Sequence, residues 1–344
     1  MRAGACPEPP YPVVNHAAST LADSFEDRAF EMNRYAVALA LVILGTNVSR
    51  AQEQTFEIGE TVRISGGLGY SFINSDEIVY DGAGNRISHL FWETQAPTLS
   101  AALQADFANN WSLRVAGRVA VSGSSHMEDY DWIGPFFRSY DFSDWTHRSI
   151  HTDTRLHHYF SGDVALGRDI ALGGAVLNLN GGLKYTSVHW TAYGGTFVYS
   201  DTGFRADTAT FPAGGRVISF LQRYPALFVG ADLSASAGRF TFAGQVRGGV
   251  AIGATDTDYH WLRDLRFEER YGAIPFASVT ARVEYAFNPG SSLFLSGSLD
   301  QYFHALGDST TYAISTGAPG STSPNAAGMT LRAITVTAGL KARF

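Results

Sequence analysis

One cysteine, Cys6, occurs in 344 residues, and charge is sparse, with Asp, Glu, Lys and Arg together at 17%. A lone cysteine near the start forms no internal disulfide, which excludes a small stapled scaffold and leaves backbone pairing and packing to hold the chain. No apolar run reaches the roughly 18 residues of a membrane-spanning helix, and a mean hydropathy of −0.05 excludes a bundle of such helices. Positive charge is short as well: 25 Lys and Arg stand against 32 Asp and Glu, for a net −7. That balance argues against nucleic acid as a partner and favours a cationic one. Glycine (36 residues) and aromatic residues (13%) are plentiful instead. This composition suits a β-rich chain better than a helical enzyme.

The stretch MNRYAVALALVILGTNVSRAQEQ reads as a secretory signal peptide over 32–51, with basic Arg34, an apolar core from Tyr35 to Gly45 and small residues at Ser49 and Ala51. Its apolar core is too short to span a bilayer. Residues 1–31 are polar and proline-containing, so they read as a non-native upstream extension, with Met32 as the start. Residues 52–344 then form a single domain.

Within that domain, alternation with a period of two recurs. In TVRISGGLGYSF, Val62, Ile64, Leu68, Tyr70 and Phe72 share one face, and Arg63, Ser65 and Ser71 the other. WSLRVAGRVAV and the closing AITVTAGLKARF repeat the pattern, the latter ending on Phe344. Apolar residues on one face with charge on the other match a barrel with lipid outside and a polar lumen inside. Ten strands are predicted, over 61–80, 86–107, 110–126, 153–167, 176–196, 215–235, 238–255, 264–287, 292–306 and 328–344. FANNW and FNPGS read as tight turns, GPFFRSYDFSDWTH and STGAPGSTSPNAAG as long outer loops. The fold class is therefore all-β, a ten-stranded antiparallel transmembrane β-barrel.

Two acidic clusters, HMEDYDW and ATDTDYH, stand at the same predicted rim, each at the end of a strand that begins at a tight turn. Asp129 and Asp131 are two apart and point one way on an extended backbone, as do Asp256, Asp258 and His260. A carboxylate beside a histidine orients the imidazole and stabilises its charged form, and a second carboxylate pair can share a proton and hold a water. No serine or cysteine with a convincing partner is evident, which argues against a covalent nucleophile. Counting by twos, however, Asp129 and Asp131 fall in phase with Val119 and Val121, and Asp258 and His260 with Val246, Val250 and Ile252, the lipid face. Cooperation inside a cleft requires a shift of register near Gly123–Ser125 and around Gly253. Glu77 is already in phase with inward Arg63 and Ser65. Spacing alone leaves three readings open: a hydrolase, a metal site built on D-x-D-x-H, and a solvated rim. His157 and His158 are expected to face opposite ways, and His89 and His189 to be isolated wall residues.

At these residues the chain resembles the omptin family, outer-membrane endopeptidases of Gram-negative bacteria. MEDYDW is similar to the family's M-x-D-x-D-W, and DTDYHWLRDLRFEER to its D-x-D-x-H and following strand. EIVYDGAGNRISHLFW, TAYGGTFVYS, FPAGGRVISFLQRY and TVTAGLKARF add further matches across nearly the whole barrel. The resemblance implies a barrel extending above the outer membrane with its active site facing the exterior. It makes Asp129 and Asp131 one catalytic pair and Asp258 with His260 the other, His260 activating water. Glu77 and Asp256 would floor the pocket for a basic side chain, Met127 and Ile218 would line the neighbouring one, and cleavage would follow Arg or Lys, preferably between two basic residues. The implied partners are basic peptides or proteins and lipopolysaccharide, the latter as an activator, with no metal or other cofactor. Arg223 matches a lipid-binding position, whereas Leu183, Tyr185 and Ser187 replace the family's Tyr, Glu and Arg. The alternative from another class is a catalytically silent barrel, an adhesin or binder of cationic ligands.

Overall fold

The computed structural model describes residues 61–344. The expected upstream extension and signal peptide lie outside the described residues. The strands are β1 (Thr61–Tyr80), β2 (Arg86–Phe107), β3 (Trp111–Ala120), β4 (Ser124–Asp131), β5 (His147–Leu172), β6 (Ala175–Tyr193), β7 (Thr196–Tyr199), β8 (Asp207–Thr210), β9 (Arg216–Ala237), β10 (Phe240–His260), β11 (Leu265–Asn288), β12 (Ser291–Ala313) and β13 (Pro319–Arg343). β3 and β4 run end to end as one barrel strand, and β7 with β8 is a small hairpin carried on a loop. The ten remaining positions close into a ring, because β1 pairs with β13 as well as β2, and β3 pairs with β5. Every neighbouring pair is antiparallel, so the barrel leaves no open edge.

The alternation sorts the residues as a membrane requires. Leu68 and Val229 are each 72% exposed and Leu340 56%, all on the outer face. Such apolar exposure is favourable only against lipid. Charge goes inward and is paired there. Arg247 contacts Asp163 at 2.8 Å, Lys184 contacts Asp300 at 2.5 Å and Lys341 contacts Glu284 at 2.7 Å. Unpaired, these groups would carry a heavy desolvation penalty. Above the apolar band the outer face turns polar: Asn74 bonds Glu93 at 3.2 Å and Arg155 bonds Asp153 at 2.9 Å. The strands thus continue beyond the lipid, and the upper barrel stands in water.

Three sequence expectations are corrected by this extension. STGAPGSTSPNAAG is not a long loop, since the chain turns at 314–318 and β13 begins at Pro319. β5 begins at His147 rather than 153, and β10 runs on to His260 rather than 255. Outside the membrane both faces are polar, so the hydrophobic alternation that reveals a strand is lost while its ladder of backbone bonds persists.

Candidate active site

Two local breaks in register bring the acidic clusters inside the barrel. On the β3–β4 strand, Val119 opposes Leu99 of β2 and Ser124 opposes Gln95, so four residues (120–123) face three (96–98). The extra residue inverts which side chains point inward. Gly123 sits at the break, where a Cβ would come within 2.7 Å of the Gln95 carbonyl oxygen. Above it, Met127, Asp129 and Asp131 turn inward opposite Trp92, Leu90 and Ser88.

β10 makes the second break. Ala251 opposes Ala226 of β9 and Thr255 opposes Arg223, three residues against two. Gly253 takes up the slack with φ of 64°, a left-handed conformation that favours glycine. Below it Val246 and Ile252 face out, and above it Ala254, Asp256 and Asp258 are buried inside. Both sites of inversion fall where the sequence required them.

The two clusters meet across the mouth. Asp258 Oδ2 lies 2.6 Å from His260 Nε2, with the Asp258 side chain almost wholly buried and the imidazole partly open. On the opposite wall Ser88 Oγ donates to Asp129 Oδ1 at 3.3 Å. Burial, first, and then the neighbouring Asp131 push the Asp129 carboxyl well above its ordinary range, and the charge of Asp258 adds to this. Burial also raises Asp131, against the lowering influence of Ser88, His147, His260 and Arg263. Both carboxyls therefore take up a proton more readily than a solvated carboxyl does.

Deeper in, Glu77, Asp256 and Glu269 form an acidic recess. Glu77 Oε2 accepts the Trp92 indole N–H at 3.2 Å. Trp92 stacks on the neighbouring Trp190 and Phe220, at centroid distances of 5.8 and 5.7 Å, which fixes the indole. Burial pushes Glu77 well up, reinforced by the charges of Asp258, Glu269 and Asp256. Met127 is fully buried at the foot of the Asp pair, and Ile218 stands opposite His260 on β9. Five of the predicted site residues (Glu77, Met127, Asp256, Asp258, Ile218) are buried, Asp129 and Asp131 are half-buried, and His260 is at the opening. Arg223 is apart from them, on the outer wall opposite Ser187 and Thr255. Further along the same outer face of β6 lie Tyr185 (40% exposed) and Leu183 (60%). Among the described residues no group of three or more His, Cys, Asp or Glu is placed to hold a metal ion.

Some contributors escaped the sequence reading. Ser149, opposite Asp129, contacts His151 Nε2 at 2.8 Å, and His151 Nδ1 contacts the Gly194 carbonyl oxygen at 2.5 Å. A serine with a histidine partner therefore does exist. Both side chains are sealed from solvent, at 3% and 0% exposure, and burial holds His151 down at about 4. Glu269 and Tyr271 were also missed, although the same two-residue spacing that flagged the Asp pairs puts them on one face. His157 and His158 need correction too. Leu156 opposes Trp190 and His158 opposes His189, so His157 is the extra residue of a bulge. Both histidines consequently lie on the outer face, and the His157 and His189 rings approach to 4.5 Å.

The sequence model of the Omptin family matches residues 58–344. The chain belongs to the omptin family. Membership places it among outer-membrane proteases and agrees with the lipid-facing band of the barrel. Plasminogen activator of Yersinia pestis is 27% identical over 320 residues, covering 90% of this chain and 98% of that protein. Outer membrane protease OmpP of Escherichia coli (strain K12) is 27% identical over 316 residues, covering 89% and 98%. The crystal structure of outer membrane protease OmpT from Escherichia coli superposes with a TM-score of 0.77 at 24% identity, over 85% of this chain and all of that one, and carries the omptin barrel fold.

Proposed function

We propose that this omptin is an endopeptidase of the outer membrane that hydrolyses peptide bonds beside basic residues, with water activated by Asp258 and His260 and held by Asp129 and Asp131. The observation that carries the reading is the 2.6 Å contact of Asp258 with His260 in a mouth shared with a proton-holding carboxyl pair. With Asp258 accepting the Nε2 proton, the imidazole is left with Nδ1 as its free base. The water sits between that nitrogen and the Asp129–Asp131 pair, which both accepts from it and donates to it. As the water attacks the carbonyl carbon, its proton passes to His260 and the buried Asp258 stabilises the imidazolium. The proton then goes to the leaving amine. No covalent intermediate is required, and the sealed Ser149–His151 pair serves as packing beside Asp129.

Specificity in this reading comes from the recess. Glu77 and Asp256 receive the guanidinium or ammonium of the basic residue through charge-assisted bonds, while Met127 and Ile218 line the adjoining apolar surface. Lipopolysaccharide acts as the activating lipid, touching the outer wall at Arg223. With Leu183, Tyr185 and Ser187 along β6, that wall offers phosphate few charges, so activation here is weak. Arg223→Ala is expected to remove what activation there is without changing lipid-free turnover.

The test is cleavage of a quenched fluorescent Arg-Arg peptide by the purified barrel, with and without lipopolysaccharide, beside His260→Ala and Asp129→Ala. Cutting at the basic pair that disappears in both variants supports the hydrolytic site. A folded barrel that binds the peptide and never cuts it, in either lipid condition, establishes the silent cationic-ligand binder instead.

A further inference from the structure

The acidic recess contains one carboxylate more than the proposed basic pocket needs. Glu269 on β11 stands directly opposite Asp256 of β10 in the ladder. Its side chain is 4% exposed, that of Tyr271 1%, and that of Asp256 1%. The Tyr271 hydroxyl lies 2.8 Å from Asp256 Oδ2 and 2.9 Å from Glu269 Oε2. A hydroxyl has one proton to donate, so it satisfies only one of these oxygens as a donor. The other contact requires a proton on one of the acids. Asp256 Oδ1 is buried without any hydrogen-bond partner. The leading charges acting on Asp256 are the carboxylates of Glu269 and Asp258, and those acting on Glu77 are Asp258, Glu269 and Asp256. Buried carboxylates gathered around an unpartnered oxygen, with no cation among their leading neighbours, make a receptor for a cation.

We propose that Glu269 is a specificity-determining residue, the third wall of a seat that selects arginine over lysine, and that arrival of the guanidinium expels the proton shared by Glu269 and Asp256. This rests on the basic-residue reading of the site given above. A guanidinium offers five N–H donors in a planar fork and can face carboxylates on several edges at once, whereas an ammonium offers three donors at one point. Glu77 on β1, Asp256 on β10 and Glu269 on β11 approach from three strands, an arrangement that the wider cation fills and the smaller does not. Bookkeeping of charge is simple: the cation enters, one carboxylic acid becomes a carboxylate, and its proton leaves to solvent. Burial lifts Glu269 to about 7, so the exchange falls in the neutral range. Arginine substrates should therefore bind more tightly as pH rises through that range, because less proton must be displaced.

Peptides identical except for Arg, Lys or citrulline before the cleaved bond are compared on wild type and Glu269→Gln, from about pH 6 to about pH 8. In the variant the KM for the arginine peptide is expected to rise about 10- to 100-fold, with kcat retained. The arginine-to-lysine ratio should collapse and the pH dependence of KM flatten. A second measurement needs no variant: calorimetry of benzamidine binding to the wild-type barrel, in buffers of different ionisation enthalpy, should report release of about one proton per ligand. An unchanged arginine-to-lysine ratio in Glu269→Gln, equal losses on the citrulline peptide, or benzamidine binding without proton release overturns the role of Glu269. Wild type that does not prefer arginine to citrulline overturns the basic-residue reading itself, and this proposal with it.

Discussion

Replacing Asp258 by asparagine isolates what the carboxylate contributes, because the side chain keeps its shape and loses only its charge. The carboxylate lies 2.6 Å from His260 Nε2 and is nearly buried. For charges centred about 4 Å apart at an effective dielectric of about 20, the attraction to an imidazolium is about 4 kcal/mol. Loss of that attraction in the transition state corresponds to about a 10³-fold drop in rate. Asparagine also permits the wrong tautomer: its amide N–H can donate to Nε2, which moves the ring proton to Nδ1 and removes the base that faces the water. With both effects the expected fall in kcat is about 10³- to 10⁴-fold. The Arg-Arg peptide assay should show this in kcat, with KM within about threefold of wild type, since Asp258 acts on the water rather than on the basic side chain. A kcat within about tenfold of wild type, from a barrel with normal heat-modifiable gel mobility, refutes the assignment of His260 as the base oriented by Asp258.

Three further outcomes follow from the same geometry. Deleting Gly253 removes the extra residue of β10, so strict alternation runs from outward Ile252 to inward Ala254 and leaves Asp256 and Asp258 facing the lumen. The barrel should assemble and still cleave the Arg-Arg peptide, as gel mobility and the fluorescence assay would report. Trp92→Phe keeps the stack on Trp190 and Phe220 and removes the indole donor from Glu77. Glu77 then holds its proton to higher pH, and KM for basic peptides should rise roughly fivefold with little change in kcat. Finally, Glu77, Asp129 and Asp256 have folded-state values raised by burial and by one another. For acids shifted this way, their stability contribution is full below the unfolded value and is lost as pH rises through the folded one. The ligand-free barrel should thus withstand urea better near about pH 5 than about pH 8, and benzamidine should narrow the gap. Equal midpoints at both pH values refute these raised values.

Much of this protein was determined by local sequence. Alternation in TVRISGGLGYSF and AITVTAGLKARF sets which residues meet lipid, because a strand repeats every two residues whatever its partner. The spacing of Asp129 with Asp131, and of Asp258 with His260, likewise makes each pair share a side before any fold is known. Strand ends above the lipid were less legible. β5 starts at His147 and β13 at Pro319, in segments whose two faces are both polar. Those residues are strand because neighbours supply backbone partners, and a single chain segment carries no record of its neighbours.

The inward turn of the acids was a matter for the tertiary structure. Sequence parity put Asp129 in phase with Val119, and only the pairing with β2 counts out the additional residue that reverses it. The same holds for the bulge at His157, which an alternating count misreads. The meeting of Asp129 with Asp258, of Glu269 with Asp256, and of Trp92 with Glu77 joins strands β1, β2, β4, β10 and β11 across the barrel. Residue type and spacing decide what chemistry each segment offers. Ring closure and register decide which segments share a proton, because hydrogen bonds and Coulomb interactions depend on distance in space, and distance across a barrel is set by partners that no single strand encodes.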